Sequence, residues 1–362
     1  MMKLIKSSRL THSASLAYVA TVLFTLFTMP ATATYSEGSV RCAFTPQLSC
    51  SEAQSGETLW HKPIYTDPDT FSIGHSRLYI SHSTRSSSYD LRNGKQIWQV
   101  SSDSDAHYFY PILSGENIFL ARSDGILEKR RADSGEIIWS RSLADGWVYP
   151  PVIQNDIIIT GGQNRIVWIL DEETGHTLDT VSLSQELVAP LFQHGKLFIG
   201  STFDGQLSAF SFNRQSHRTE AAWQAHLDAP AFSYVSDSEH FVTADMGGKL
   251  NSLDPENGFL RWQASVHQNA FFWNTLHRQS LFSLTETGSL SVLDINSGRL
   301  QKHQQFDHHY IQAPIVQDDK VALYDTTGAV QYLTVDASAG SNTGHKPLLY
   351  TLLTSPQRGI LK

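Results

Sequence analysis

The nine residues Arg131-Ala132-Asp133-Ser134-Gly135-Glu136-Ile137-Ile138-Trp139 place a glycine at the end of a short polar turn and a tryptophan four positions later. The same ending recurs along the chain, with Gly56 before Trp60, Gly94 before Trp98 and Gly258 before Trp262. Two further copies, Asp171–Gly175 and Asp294–Gly298, keep the turn and lose the tryptophan. The successive glycines are separated by 38, 41, 40, 83 and 40 positions. The long interval holds a degenerate copy that ends at Trp223, where Ser211–Ala222 is read as a longer loop in place of the turn. A unit that returns about every forty residues with a turn and a tryptophan at its end is the signature of a β-propeller.

Seven apolar runs occupy one phase of this period: Arg77–Ser81, Asn117–Ala121, Ile157–Thr160, Lys196–Gly200, His240–Thr243, Ser280–Leu284 and Lys320–Tyr324. Most are followed by a glycine and an alternating segment, such as Gly205–Phe210 or Gly288–Leu293, which together read as a hairpin. A proline opens most units, at Pro111, Pro151, Pro190, Pro230 and Pro314. Each unit is therefore read as four strands, with the Asp-containing turn joining the third to the fourth.

The last unit runs out after Val335, and the first ending, Glu52–Trp60, has no strands assigned before it. Joining the two predicts an all-β, seven-bladed propeller over residues 52–335 closed by the N-terminal strand. An eighth blade would have to come from the tail, residues 336–362, which is too short to supply one. Residues 1–33 read as a secretory signal peptide: Lys3, Lys6 and Arg9 precede an apolar run, Ala14–Met29, and an Ala31-Thr32-Ala33 cleavage pattern. Residues 34–51 form an N-terminal arm with the chain's two cysteines, Cys42 and Cys50, which in an oxidising compartment close one small loop.

Composition narrows the function. The 362 residues carry a net charge of −8, and three of the 27 basic residues lie in the leader, so the body is more acidic still. Nothing resembles a basic groove for nucleic acid. The repeated tryptophans, Trp60, Trp98, Trp139, Trp223 and Trp262, have a sufficient structural role. A large flat ring at the end of an outer strand can lie across the neighbouring blade and cover its turn glycine, burying about 150–250 Å².

The pattern Asp-x-x-(Thr/Ser/Asn)-Gly-x-x-x-Trp, carried by Asp90–Trp98 and Asp254–Trp262 and more loosely by Arg131–Trp139, Asp171–Gly175 and Asp294–Gly298, resembles the PQQ-type, quinoprotein-like propeller repeat. The resemblance covers residues 52–335. That family includes quinone- and calcium-dependent dehydrogenases and a non-catalytic, BamB-like branch that serves as a scaffold in outer-membrane assembly. The chain lacks the adjacent cysteine pair that the quinoprotein dehydrogenases set against their cofactor, and no cluster of Asp, Glu and Asn at one phase reads as a calcium cage. The resemblance therefore implies the non-catalytic branch. It departs from that branch in turn, because Gly38-Ser39-Val40-Arg41 before Cys42 is not a lipid-attachment box.

The segments linking one unit to the next hold the least uniform residues: His107, Tyr108, Trp147, Tyr149, Phe272, Trp273, His308, His309 and Tyr310, with His267 and Phe271 beside them. All precede the opening strand at one phase, so they are expected to gather at one mouth of the channel as a surface for a partner or a flat ligand. His308 and His309 are adjacent and would point to opposite faces of an extended strand, which gives no metal geometry. No catalytic constellation and no metal site is expected.

The function expected from the sequence is an exported, periplasmic or secreted, protein-binding scaffold in envelope or outer-membrane protein assembly. Its partners would be other envelope proteins, and it would act as a monomer within a complex, with no membrane span after cleavage of the leader and no cofactor. The alternative is a small oxidoreductase holding PQQ, with calcium, or another flat ligand at the aromatic and histidine rim.

Overall fold

A computed structural model describes residues 35–37, 40–44, 48–52, 55, 57–63, 71–266, 272–310, 313–317, 320–325, 330–335 and 349–352. The leader, His267 and Phe271 lie outside them. Every regular element among these residues is a β-strand, and the strands form eight four-stranded sheets, each antiparallel and in sequence order. The first sheet is Tyr35–Glu37, Val40–Phe44, Leu48–Glu52 and Thr58–Lys62. The next six run from Phe71–Gly74 to Gln96–Ser101, Ile112–Ser114 to Ile137–Ser142, Val152–Gln154 to Thr177–Ser182, Phe192–His194 to Arg218–His226, Ala231–Ser236 to Leu260–Ser265, and Phe272–His277 to Leu300–Gln305. The eighth comprises Ile315–Gln317, Lys320–Tyr324, Val330–Val335 and Leu349–Leu352. The seven apolar runs are the second strands of the second to eighth sheets.

Seven units closed by the N-terminal strand is not what the chain builds. Thr58–Lys62 pairs with Leu48–Glu52, directly before it, and so completes a first sheet of its own. The strand after Val330–Val335 comes from the tail, with Tyr332 opposite Leu352 and Val335 opposite Leu349. The physical reason lies in chain length: a fourth strand needs only four residues, and 336–348 is a long enough connection to return it. The supposed arm is likewise part of a sheet, because Cys42 and Cys50 face each other across neighbouring strands and are joined by a disulfide. Nor is Ser211–Ala222 a loop. The third and fourth strands simply continue, Gln206–Asn213 pairing with Arg218–His226 from Gln206↔His226 to Asn213↔Arg218.

The core lies between sheets rather than within any one of them. Val40, Leu48 and Trp60 of the first sheet pack on Phe71, Leu78 and Ile80 of the second. At the far end Phe282, Leu284 and Leu290 of the seventh pack on Val321, Leu323 and Leu333 of the eighth. A four-stranded sheet has two faces and cannot cover either alone, so stability comes from neighbour contacts, as in other repeat architectures. First strands of consecutive sheets touch each other (first with second, second with third, sixth with seventh, seventh with eighth), which sets them on the inner side.

Five seams share one fastening. The indole N–H groups of Trp60, Trp98, Trp139, Trp223 and Trp262 donate to Leu91 O, Ala132 O, Glu172 O, Pro255 O and Ile295 O of the following sheet, at 2.8, 3.0, 3.2, 2.9 and 2.8 Å. Each ring covers that sheet's turn glycine. A Cβ built on Gly135 would lie 2.9 Å from Trp98 Cδ2, and one on Gly258 only 2.4 Å from Trp223 Cε3. Both glycines also hold positive φ, +73° and +74°. Glycine is thus required twice, for the turn and for the ring.

The seam between the fourth and fifth sheets is built otherwise. Asp179 stands four residues after Gly175, where the tryptophan would be, and accepts from Thr219 N at 2.7 Å and Thr219 Oγ1 at 3.0 Å. Thr219 belongs to the elongated hairpin that replaces the glycine turn, and Arg214 near its tip reaches back to Asn155 O and to Asp156 Oδ2.

Candidate functional site

In each antiparallel sheet the turns from first to second and from third to fourth strand lie at one end, and the turn from second to third strand lies at the other, together with the link to the next sheet. The link end is tied together by the backbone. Tyr108, Val148, Leu187 and Tyr310 each bridge to their own sheet, at Arg122, Gly162, Thr202 and Asp325. Each also donates its N–H to the preceding sheet, at Ser83 O, Arg122 O, Gly162 O and Glu286 O. A residue held on both sides in this way must sit inside the seam, and all four are buried.

That geometry sorts the rim residues. Tyr108, Tyr149, Phe272 and Tyr310 are buried. Tyr149 packs against Phe109 with ring centroids 5.8 Å apart, and Phe272 meets Phe232 edge to face at 5.7 Å. Burial pushes the Tyr149 hydroxyl pKa up. It also raises that of Tyr310, with help from the Asp325 charge, to about 12, while the Tyr310 hydroxyl donates to Gln331 Oε1 at 3.0 Å. Trp147 and Trp273 are half-buried, each lying against an inter-sheet cluster. His107, His308 and His309 are exposed, and His308 Nδ1 lies 3.3 Å from Asp325 Oδ2. The four buried rings offer no open face for stacking. The accessible groups are the histidines and the two half-buried indoles.

A charged cluster in the third sheet had no signal in the repeat pattern. Arg122, 5% exposed at its side chain, reaches Asp103 at 2.9 Å, Asp124 at 2.5 Å and Glu128 at 3.1 Å, and Arg130 binds the other Glu128 oxygen at 2.7 Å. Burial opposes the Arg122 charge, but the hydrogen bonds to Asp124, Asp103 and Glu128 outweigh it and push its pKa up. The same Arg122 hydrogen bond holds Asp103 below the usual carboxylate range. The guanidinium also lies 5.8 Å from the Tyr108 ring centroid. The cue in the sequence is a single departure: the bridge position is Gly162 in the next sheet and Thr202 in the one after, and only here is it an arginine.

Most other charged groups at this end are acidic. Asp105, Asp145, Asp204, Asp228, Glu286 and Asp307 are exposed, the cations Arg165 and Lys249 are taken up by Glu186 and Asp228, and Arg85 is exposed at the turn of the second sheet. The link end therefore presents carboxylates, histidines and half-buried indoles around a rigid frame, a surface suited to holding a basic, partly apolar partner.

Among the described residues no group of three or more His, Cys, Asp or Glu could hold a metal ion, and the disulfide is buried in the first sheet between residues eight apart in sequence. Also among the described residues, no helix is long and apolar enough to cross a membrane.

Sheets fastened in series by indoles over turn glycines define a β-propeller of the PQQ-like repeat class. The family described as outer membrane protein assembly factor BamB matches residues 47–141 and 123–280, and the chain belongs to that family. It is 27% identical to the outer membrane protein assembly factor BamB of Escherichia coli (strain K12) over 291 residues, 72% of each chain. It is 22% identical to that of Yersinia pestis over 294 residues, 72% of this chain and 73% of the other. Among solved structures, BamB from Moraxella catarrhalis superposes with a TM-score of 0.67 at 13% identity, covering 85% of this chain and 96% of that one. The computationally designed Ika8 protein reaches 0.66 at 12% identity, covering 82% and 93%. A likeness shared equally with a designed protein speaks to the fold alone.

Proposed function

We propose that this chain is a periplasmic protein-binding scaffold in the assembly of outer membrane proteins, an eight-bladed ring that meets its partner with the link end. The observation that carries this reading is the family match, which runs through most of the repeat. The leader at residues 1–33 directs export and is removed, and the mature chain works as a monomer inside a complex of envelope proteins. The link end is the favoured surface because its backbone is fixed from both sides while carboxylates and histidines are exposed on it and Trp147 is half-buried there. A frame whose backbone is already fixed loses little further entropy on docking.

The test is site-specific photo-crosslinking in cells. A photoreactive residue at His107, Trp147 or His309 is expected to capture one defined envelope protein, and the same residue at Glu136 or Asn257, in the turns at the opposite end, to capture none. Capture only from the opposite end, or from neither end, would overturn the assignment.

A further inference from the structure

Four of the sheets turn from second to third strand on a glycine of positive φ, at Gly125, Gly205, Gly248 and Gly288. The first sheet has Thr45, Pro46 and Gln47 at that place in the sequence. It closes the same hairpin covalently instead, with Cys42 opposite Cys50 two residue pairs inside Phe44↔Leu48. Both cysteines are completely buried, in the cluster that joins Trp60 to Phe71 and Leu78 of the second sheet. They are the only two cysteines of the chain.

We propose that the Cys42–Cys50 disulfide is an oxidation-dependent lock on the seam between the first and second sheets, so that this seam closes firmly only after the chain has met an oxidant. The strand holding Cys50, Leu48–Glu52, is the pairing partner of Thr58–Lys62. When it is not held in register, Trp60 loses the support that keeps its indole on Leu91 O and over Gly94. The redox step is balanced by thiol–disulfide exchange. The two thiols give up two protons and two electrons to a protein disulfide or oxidised glutathione, which leaves as a dithiol or as two thiols. Because both sulfurs end up beneath the second sheet, the bond forms before docking, and a reductant reaches it only when the seam reopens.

A link across a sequence separation of eight residues shifts the local opening equilibrium by about a hundredfold through loop-closure entropy. The remaining described seams contain no cysteine and depend only on their neighbours, so the effect stays local.

Hydrogen–deuterium exchange tests this on the oxidised protein and on the Cys42→Ala/Cys50→Ala variant. The expected result is exchange about a hundredfold faster across residues 40–62 and at Leu91–Gly94, with the third to seventh sheets unchanged. Equal protection in both proteins would overturn the proposal, as would loss of protection in every sheet alike, because the disulfide would then not act on one seam. Refolding adds an independent reading. Wild-type chain refolded with a phosphine reductant should keep an N-terminal region open to protease until oxidised glutathione replaces the reductant. Full protection before oxidation would overturn it.

Discussion

The seam between the sixth and seventh sheets and the seam between the fourth and fifth perform one task with opposite chemistry. At the former, Trp262 lies over Gly298 and donates to Ile295 O. At the latter, Asp179 occupies the equivalent position and takes two hydrogen bonds from Thr219. The donor and the receiving turn have changed together: without the indole, the next sheet no longer needs a turn glycine and extends its hairpin instead. A seam is therefore a matched pair, a knob on one sheet and a seat on the next, and either half alone is a defect. The apolar version draws on buried area, and the polar version draws on geometry and charge.

The largest expected difference comes from emptying the apolar seat. Trp262→Ala should cost about 3–5 kcal/mol in denaturant unfolding, the range for removing a large aromatic from a packed site. A loss near 1 kcal/mol would mean that the indole is ornamental. Next, Asp179→Trp should destabilise by about 1–3 kcal/mol rather than restore the commoner fastening, because the receiving hairpin offers no glycine and the ring would overpack it. A stabilised Asp179→Trp protein would break the matched-pair account. Thr219→Val removes one hydrogen bond while Thr219 N still reaches Asp179, so on a partly exposed seam the cost should be about 0.5–1 kcal/mol by the same unfolding measurement.

The smallest effect is one of pH. The hydrogen bond donated by the Thr219 backbone N–H is the main cause that holds the Asp179 carboxyl below its usual pKa. A depressed carboxylate contributes stability that is present above its unfolded pKa and is lost as pH falls through the folded one. Protection factors at residues 177–182 and 218–226, taken against intrinsic exchange at each pH, should therefore fall below about pH 4, ahead of those around Trp262. An acid response shared equally by both seams would remove the distinction.

The sequence made one seam legible and hid the other for the same reason. Gly135 and Trp139 announce themselves because glycine at positive φ and a large ring have few substitutes, so the period survives in the letters. Asp179 and Thr219 are common residues, and only their separation of one repeat, spanning two consecutive degenerate copies, marks them. The first and last sheets are hidden on similar grounds. Val40–Phe44 and Leu48–Glu52 carry no glycine turn between them, and Leu349–Leu352 is separated from its partner by 336–348. Among the link residues, the spacing placed Tyr108 and Tyr310 at one phase, but their burial depends on bonding to two sheets at once, which is a property of the assembled ring. Arg122 leaves no periodic mark, because it appears once in a chain whose other signals return.

The indole fastenings all point the same way along the chain, each ring reaching forward to a turn that comes 31 to 34 residues later. A polypeptide threaded through a membrane N-terminus first would therefore deliver every lid before the turn it covers. However much of the chain had emerged, only the newest tryptophan would still be waiting for its turn. Such a molecule can grow by one unit after another without its exposed aromatic surface ever accumulating, which suits a protein that must complete its fold in a compartment it enters from one end.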